Sequence, residues 1–311
     1  MDGILPLWKE RGMTSHDCVF KLRKILHTKK IGHSGTLDPD VAGVLPICIG
    51  KGTKMVEFLM SSGKTYTGEI TVGFATATED ASGEVIERTP IKQPFTTEEI
   101  DQAMAQLTGE ITQIPPMFSA VKVNGRRLYE YARAGETVER PQRKAQIDSF
   151  ERISEPVWDQ EKQTQSWRFQ VVCGKGTYVR TLAVDTGKLL QVAAHMSELT
   201  RTASGGFTKE QAITLNEAQE KFEADQLQEY LLPLEYGVKE FQRVDISDEL
   251  WQKVKNGRPL TYHEFDLAEM PKQPIAVFFH QYVVGIYQPH EQRDNILKPM
   301  KMFRTELGES L

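Results

Sequence analysis

The sequence is poor in cysteine: 311 residues hold three, Cys18, Cys48 and Cys173. They are odd in number, far apart, and form no C-x-x-C pair. This argues against a disulfide framework or a zinc knuckle and fits a reducing, cytoplasmic compartment. No apolar run approaches the ~20 residues of a membrane span. The N-terminal MDGILPLWKERGMTSHD lacks a long apolar core, so no signal peptide is expected. The seven histidines are dispersed, without H-E-x-x-H or Cys/His spacing, so no metal is expected. Gly50-Lys51-Gly52-Thr53 and Gly174-Lys175-Gly176-Thr177 miss the G-x-x-x-x-G-K-[ST] spacing of a phosphate loop, which argues against nucleotide hydrolysis. Nothing marks a serine as a nucleophile elbow. Internal repeats and low-complexity tracts are also lacking.

An overall basic excess is missing too. Lys and Arg number 38 against 43 Asp and Glu, a net charge of −5, which weighs mildly against nucleic acid. The distribution changes that weight. Residues 216–250 hold ten acids against Lys221, Lys239 and Arg243, a local −7 that leaves the remainder at about +2. Lys21, Arg23, Lys24, Lys29 and Lys30 fall within ten residues. Lys122, Arg126, Arg127, Arg133, Arg140, Arg143 and Lys144 dominate 122–144. Each cluster taken alone reads as a solvated face.

At 39% hydrophobic and 26% charged, the chain has ordinary globular composition and a length suited to about two domains. Val19, Leu22, Ile25 and Leu26 recur at helical spacing within 16–28. Residues 64–72 alternate, with Tyr66, Ile70 and Val72 on one face of a strand. Helices are predicted over 96–107 and from about Tyr178 to Leu190, and a strand over 167–173. Strands and helices mix without a regular βαβα rhythm, so the fold class is α+β. Residues 115–145 read as an excursion from the core. An acidic helix is predicted near 214–231. Beyond about 241 the pattern turns β-rich, with 275–279 and 282–287 as adjacent strands, although His280-Gln281 lacks the usual hairpin glycine. The domains are therefore placed at 1–240 and 241–311.

Gly32-His33-Ser34-Gly35-Thr36-Leu37-Asp38-Pro39 combines turn-permitting glycines with an aspartate that Pro39 pushes out of helical geometry. By local pattern alone, an ordinary turn in which Asp38 bonds its own backbone is favoured. Tyr178 and Arg180 open a helix after a strand, where side chains can face a cleft. A core tyrosine and a surface arginine fit that spacing as well.

The segments together resemble the tRNA pseudouridine synthase B family. IGHSGTLDPDVAGVLPICIGKGTK is similar to its central motif, KTYTGEI to its tyrosine strand, and PPMFSAVKVNGRRLYEYARAG to its RNA-gripping insertion. GKGTYVRTLAVDTGK is similar to its arginine motif and SELTRTASGGF to its leucine motif. The blocks are collinear over residues 1 to about 210. The C-terminal 70 residues resemble the family's small RNA-binding β domain, of PUA type, only loosely. The resemblance implies a mixed, largely antiparallel sheet flanked by helices. It implies Asp38 as catalytic carboxylate, Arg180 as its bidentate partner and Tyr66 as active-site tyrosine. Tyr178 and Leu199 would line the uracil pocket, and His33 would enter the RNA where the base has left. Lys122, Arg126, Arg127, Arg133 and Arg143 would grip phosphate. The implied substrate is the uridine at position 55 of the tRNA T-arm, with no cofactor and no obligate protein partner. Two other readings stay open: a subunit that depends on guide RNA, and a tRNA-folding chaperone with secondary catalysis.

Overall fold

The structure, a computed structural model, describes residues 1–306; the last five residues of the expected C-terminal domain lie outside the described residues. The main sheet runs in the order Gly3–Lys9, Ala42–Ile49, Ala194–Ser204, Lys64–Val72, Thr164–Cys173, Arg143–Arg152, Gly109–Gln113. Neighbours along this path are antiparallel, except Ala42–Ile49 and Ala194–Ser204, which pair in parallel. The mixed, largely antiparallel sheet of an α+β fold is thus present.

The first two strands are buried on both faces, which explains the unbroken apolar run VLPICI. Leu45, Ile47 and Ile49 join Leu5 and Leu7 beneath the helices Ser15–Ile25 and Leu215–Glu223. Val44 and Cys48 point the other way, with Ile4, into a second cluster. This is the period of two of a strand serving two cores. Farther along the sheet, Ile70, Trp167, Phe169 and Val171 pack under the helices Thr97–Ala105 and Val179–Leu189. Thr96 and Glu99 form the capping box that starts the first of these. The predicted 214–231 helix is shorter, Leu215–Glu223, and is followed by the 3-10 turn Leu227–Tyr230.

A second, five-stranded sheet spans Gln242–Ile246 to Ile296–Met302. The adjacent strands Ile275–Phe279 and Tyr282–Pro289 pair antiparallel. Their two-residue turn succeeds without glycine because His280 takes the left-handed conformation itself, φ 54°. Ala276 and Phe278 on one side of Ile275–Phe279 share a core with Val44, Cys48, Met55 and Phe58, while Ile275, Val277 and Phe279 close the second sheet's own core. The two sheets therefore pack as one body.

The excursion holds the hairpin Lys122–Val123 and Arg126–Arg127 and the helix Leu128–Ala134. Its end is earlier than the sequence pattern indicates: Arg143 already begins a core strand that pairs with Gly109–Gln113.

Candidate active site

Asp38 stands on the loop between the short strand Ile31–His33 and Ala42–Ile49. The loop starts with a turn at Gly35, whose φ of +83° suits glycine. Ser15 at the start of a helix holds the next bend: its hydroxyl accepts from the Leu37 N–H at 2.9 Å and donates to the Leu37 carbonyl at 3.3 Å. The Pro39 carbonyl accepts from Lys9 Nζ at 3.1 Å and from the Gly12 N–H at 2.9 Å. Lys9 is fully buried and also donates to the carbonyls of Glu10 and Met13. The backbone around Asp38 is thus tied on both sides, while its side chain stays 47% exposed. The local turn favoured by pattern alone does not occupy that carboxylate. Its oxygen lies 3.1 Å from Arg180 Nη2 instead.

Arg180 sits in the first turn of Val179–Leu189 with its side chain 10% exposed. Its contacts correct the expected bidentate clamp. Nη1 donates to the Thr78 carbonyl at 3.0 Å and lies 3.6 Å from Asp80 Oδ2. Nη2 donates to the Phe118 carbonyl at 3.0 Å and reaches Asp38. The fork is shared among three loops because two half-buried backbone carbonyls also need donors. Asp80 is held in turn by Thr78 Oγ1 at 2.7 Å and by Ser82. Tyr178 caps the same helix. Gln113 grips its backbone from both sides, accepting from the N–H at 2.9 Å and donating to the carbonyl at 3.1 Å.

Tyr66 and Leu199 lie on neighbouring strands in one core cluster with Leu37 and Val41. Tyr66 shares its buried face with Ile70 and Val72, as the alternation predicts. Burial pushes its phenol above the ordinary value, and the charge of Arg201 pulls it back. Tyr66 thus packs with the residues on either side of Asp38 and with Val179, the neighbour of Tyr178, and the negative charge of Asp38 raises both phenols further.

His33 borders the same loop. Its Nδ1 is buried with no hydrogen-bond partner. Burial lowers its pKa below 6.5, and the charges of Arg201 and His16 act in the same direction. His195, whose Nδ1 meets the Phe74 carbonyl, is also lowered by burial. Just below pH 6.5 the unfolded chain therefore binds protons at these sites that the folded chain does not. Stability should fall as pH drops from about 7.5 to 5.5. Glu79, raised by burial, works in the opposite direction above its ordinary value of 4.5. Urea midpoints of wild type and a His33→Gln, His195→Gln variant measure the effect. The variant should lose less stability on acidification, and parallel curves would refute the assignment.

Of the five cations expected to grip phosphate, Lys122, Arg126, Arg127 and Arg133 stand on the excursion. Arg126 pairs with Glu136 at 2.8 Å and lies over Tyr131, while Arg127 and Arg133 flank Tyr129. Arg143 stands apart on the core sheet, where its charge reaches the Tyr178 phenol. Sequence reasoning passed over Asp80 and Arg201. Asp80 looks like one more turn residue in TATEDASG. Arg201 had an available signal, since it follows Leu199 by two positions on one strand and so shares its face.

Residues 23–179 match the family described as TruB family pseudouridylate synthase (N terminal domain), and 180–239 match the tRNA pseudouridylate synthase B C-terminal domain. The tRNA pseudouridine synthase B of Lactiplantibacillus plantarum is 53% identical over 97% of this chain and 99% of that protein. Its namesake in Listeria innocua is 50% identical over 98% and 99%. Among solved structures, a Cbf5-Nop10-Gar1 complex contains a chain 27% identical, with a TM-score of 0.74 over 97% of this chain and 85% of that one. With profile matches across most of its length and relatives of half-identical sequence end to end, this chain belongs to the TruB family of pseudouridylate synthases.

Proposed function

We infer that the chain converts uridine to pseudouridine in tRNA, at position 55 of the T-loop, acting without a guide RNA. The observation that carries this reading is the meeting of Asp38 with Arg180 at 3.1 Å, on a loop whose Leu37 and Val41 share a core cluster with Tyr66. The reaction breaks the N1–C1′ bond, turns the uracil and joins C5 to C1′; the proton on C5 leaves and N1 gains one. No group or electron is added, so no cofactor is required. Asp38 serves as nucleophile at the sugar or as base, as carboxylates do in glycosyl chemistry. Arg180 orients it, and Tyr66 stacks on the base and takes part in proton transfer.

The target base must leave its stack, at a cost of a few kcal/mol. Leu199 and Tyr178 would line the pocket that receives it. His33, kept neutral by burial, suits the vacated place because a neutral imidazole stacks without importing a charge. The Phe118 carbonyl on Arg180 belongs to the start of the excursion, so RNA held there would sit next to the reacting groups. We assign residues 1–240 to catalysis and 241–311 to added affinity for the acceptor-stem end, in the cytoplasm.

The excursion predicts a salt effect. Neutralising Lys122, Arg126, Arg127 and Arg133 should weaken tRNA binding. It should also flatten the plot of log affinity against log salt by about 0.7–0.9 per lost phosphate contact. An unchanged slope would show that these cations do not touch phosphate.

The function itself is tested with purified protein and an isolated T-arm hairpin carrying C5-tritiated uridine. Tritium should be released from the hairpin and less from an unstructured strand of the same sequence, because RNA loops are read by shape. The likeness to a chain solved in a Cbf5-Nop10-Gar1 complex gives the reading as a subunit of a larger particle its support. Release only after adding a guide RNA would establish that reading. An Asp38→Asn protein that still refolds tRNA would establish the chaperone activity as separate.

A further inference from the structure

Arg201 has no exposed surface, yet none of the ion pairs among the described residues includes it. A buried guanidinium without a carboxylate is costly, and an apolar side chain of similar volume would fill a strand face at lower cost. Its hydrogen bonds go to two backbone carbonyls. Nε donates to Val44 at 2.8 Å and Nη2 donates to Gly35 at 3.0 Å. Gly35 is the turn from which the chain runs to Asp38, three residues on. A side chain added at Gly35 would place its Cβ 3.4 Å from Arg201 Nη1, so the turn wraps the guanidinium closely.

The other end of this connection is Tyr66. Arg201 and Tyr66 are cross-strand partners in register, so their side chains leave the sheet on the same face. The close approach extends to the third strand. Gly43 pairs with Arg201, and a Cβ at Gly43 would collide with the Arg201 backbone. The charge of Arg201 acts on Lys9, His33, Lys64 and Tyr66 together. Two of these side chains meet the Asp38 loop directly: Lys9 bonds the Pro39 carbonyl, and Lys64 flanks the Gly35 turn together with Arg201.

We propose that Arg201 is a positioning residue for the isomerisation: its guanidinium ties the Gly35 turn that leads to Asp38 to the strand face carrying Tyr66, and so sets the spacing of carboxylate and phenol. The proposal rests on the function inferred above. Lysine keeps the charge but lacks the planar fork that serves two carbonyls at once. A purely structural arginine would affect melting and folded yield. It would leave the single-turnover rate of whatever protein folds as it was.

The test measures three quantities in full-length wild type, Arg201→Lys and Arg201→Gln. They are the single-turnover rate on the T-arm hairpin, the hairpin affinity, and the titration of Tyr66 followed by its 13C-labelled Cζ. The lysine variant should lose about 100-fold in rate, the scale of a 1 Å misplacement, with affinity within about threefold. In the glutamine variant Tyr66 should titrate at higher pH than in wild type, because a facing cation is gone. A rate within about threefold of wild type, or an unmoved Tyr66 titration, overturns the proposal. If neither variant folds, Tyr66→Phe decides through the 15N signals of the Arg201 guanidinium. A shift upholds the contact and unchanged signals overturn it. Failure of wild type on the hairpin would instead strike the functional reading, while the Tyr66 titration still reports on Arg201.

Discussion

Asp38→Asn is expected to lower tritium release from the T-arm hairpin by about 10⁴-fold or more while leaving hairpin affinity within about tenfold. Asparagine keeps the size of the side chain and the loop that carries it. The ties of that loop run through Ser15, Lys9 and Gly12 to backbone atoms of Leu37 and Pro39, none of which the substitution touches. Arg180 keeps Asp80 at 3.6 Å, so its charge is not abandoned. What disappears is the anionic oxygen 3.1 Å from Arg180, the more exposed of the two carboxylates on that guanidinium and the one assigned as nucleophile or base at the sugar. The fold, read from melting, should be close to wild type. Turnover near that of wild type in this variant would falsify the role given to Asp38 and the function built on it.

Arg180→Lys comes next in size, with an expected loss of about 100-fold in turnover, the scale of removing one preorganised donor from a reacting oxygen. The guanidinium touches four oxygens from three loops: Asp38, Asp80, and the carbonyls of Thr78 and Phe118. An ammonium on a flexible stem is a point charge and cannot span them. At least one half-buried carbonyl loses its donor, which costs about 1 kcal/mol. A moderate fall in melting temperature should therefore accompany the loss of rate. The two effects separate in assays at a temperature where both proteins are folded. A lysine variant with nearly full turnover there would show that the Asp38–Arg180 contact does not orient the carboxylate.

How much of this was legible in the sequence differs from residue to residue. Tyr66 was legible twice, as an alternating core residue and as part of a recognisable segment, and it is buried in one cluster with Leu37 and Val41, which flank Asp38 in the chain. Asp38 was ambiguous by pattern, because a turn aspartate before proline looks the same whether or not another element supplies its partner. Arg180 was legible as a residue opening a helix, but its fork is divided among oxygens at positions 38, 78, 80 and 118. Separations of 62 and 102 residues to two of its acceptors leave no local trace. Arg143 was grouped with the excursion because the stretch is rich in Pro, Gly and Arg/Lys, yet it begins a strand of the core. Composition carries no information about which side of an element's boundary a residue falls.

The sequence by itself determined the α+β class, the apolar faces of the main strands, the helix starts and the blocks that mark the family. All of these rest on short-range periods, caps and motifs that each segment carries alone. Tertiary structure decided what meets what. It set Arg201 opposite Tyr66 on adjacent strands and brought its nitrogens to the Val44 and Gly35 carbonyls. It divided Arg180 among three loops, and it joined the second sheet to the first through Phe278 and its neighbours. A buried arginine and a surface arginine are the same letter. Their difference lies in desolvation and in which distant oxygens surround them, and only the assembled sheet supplies both.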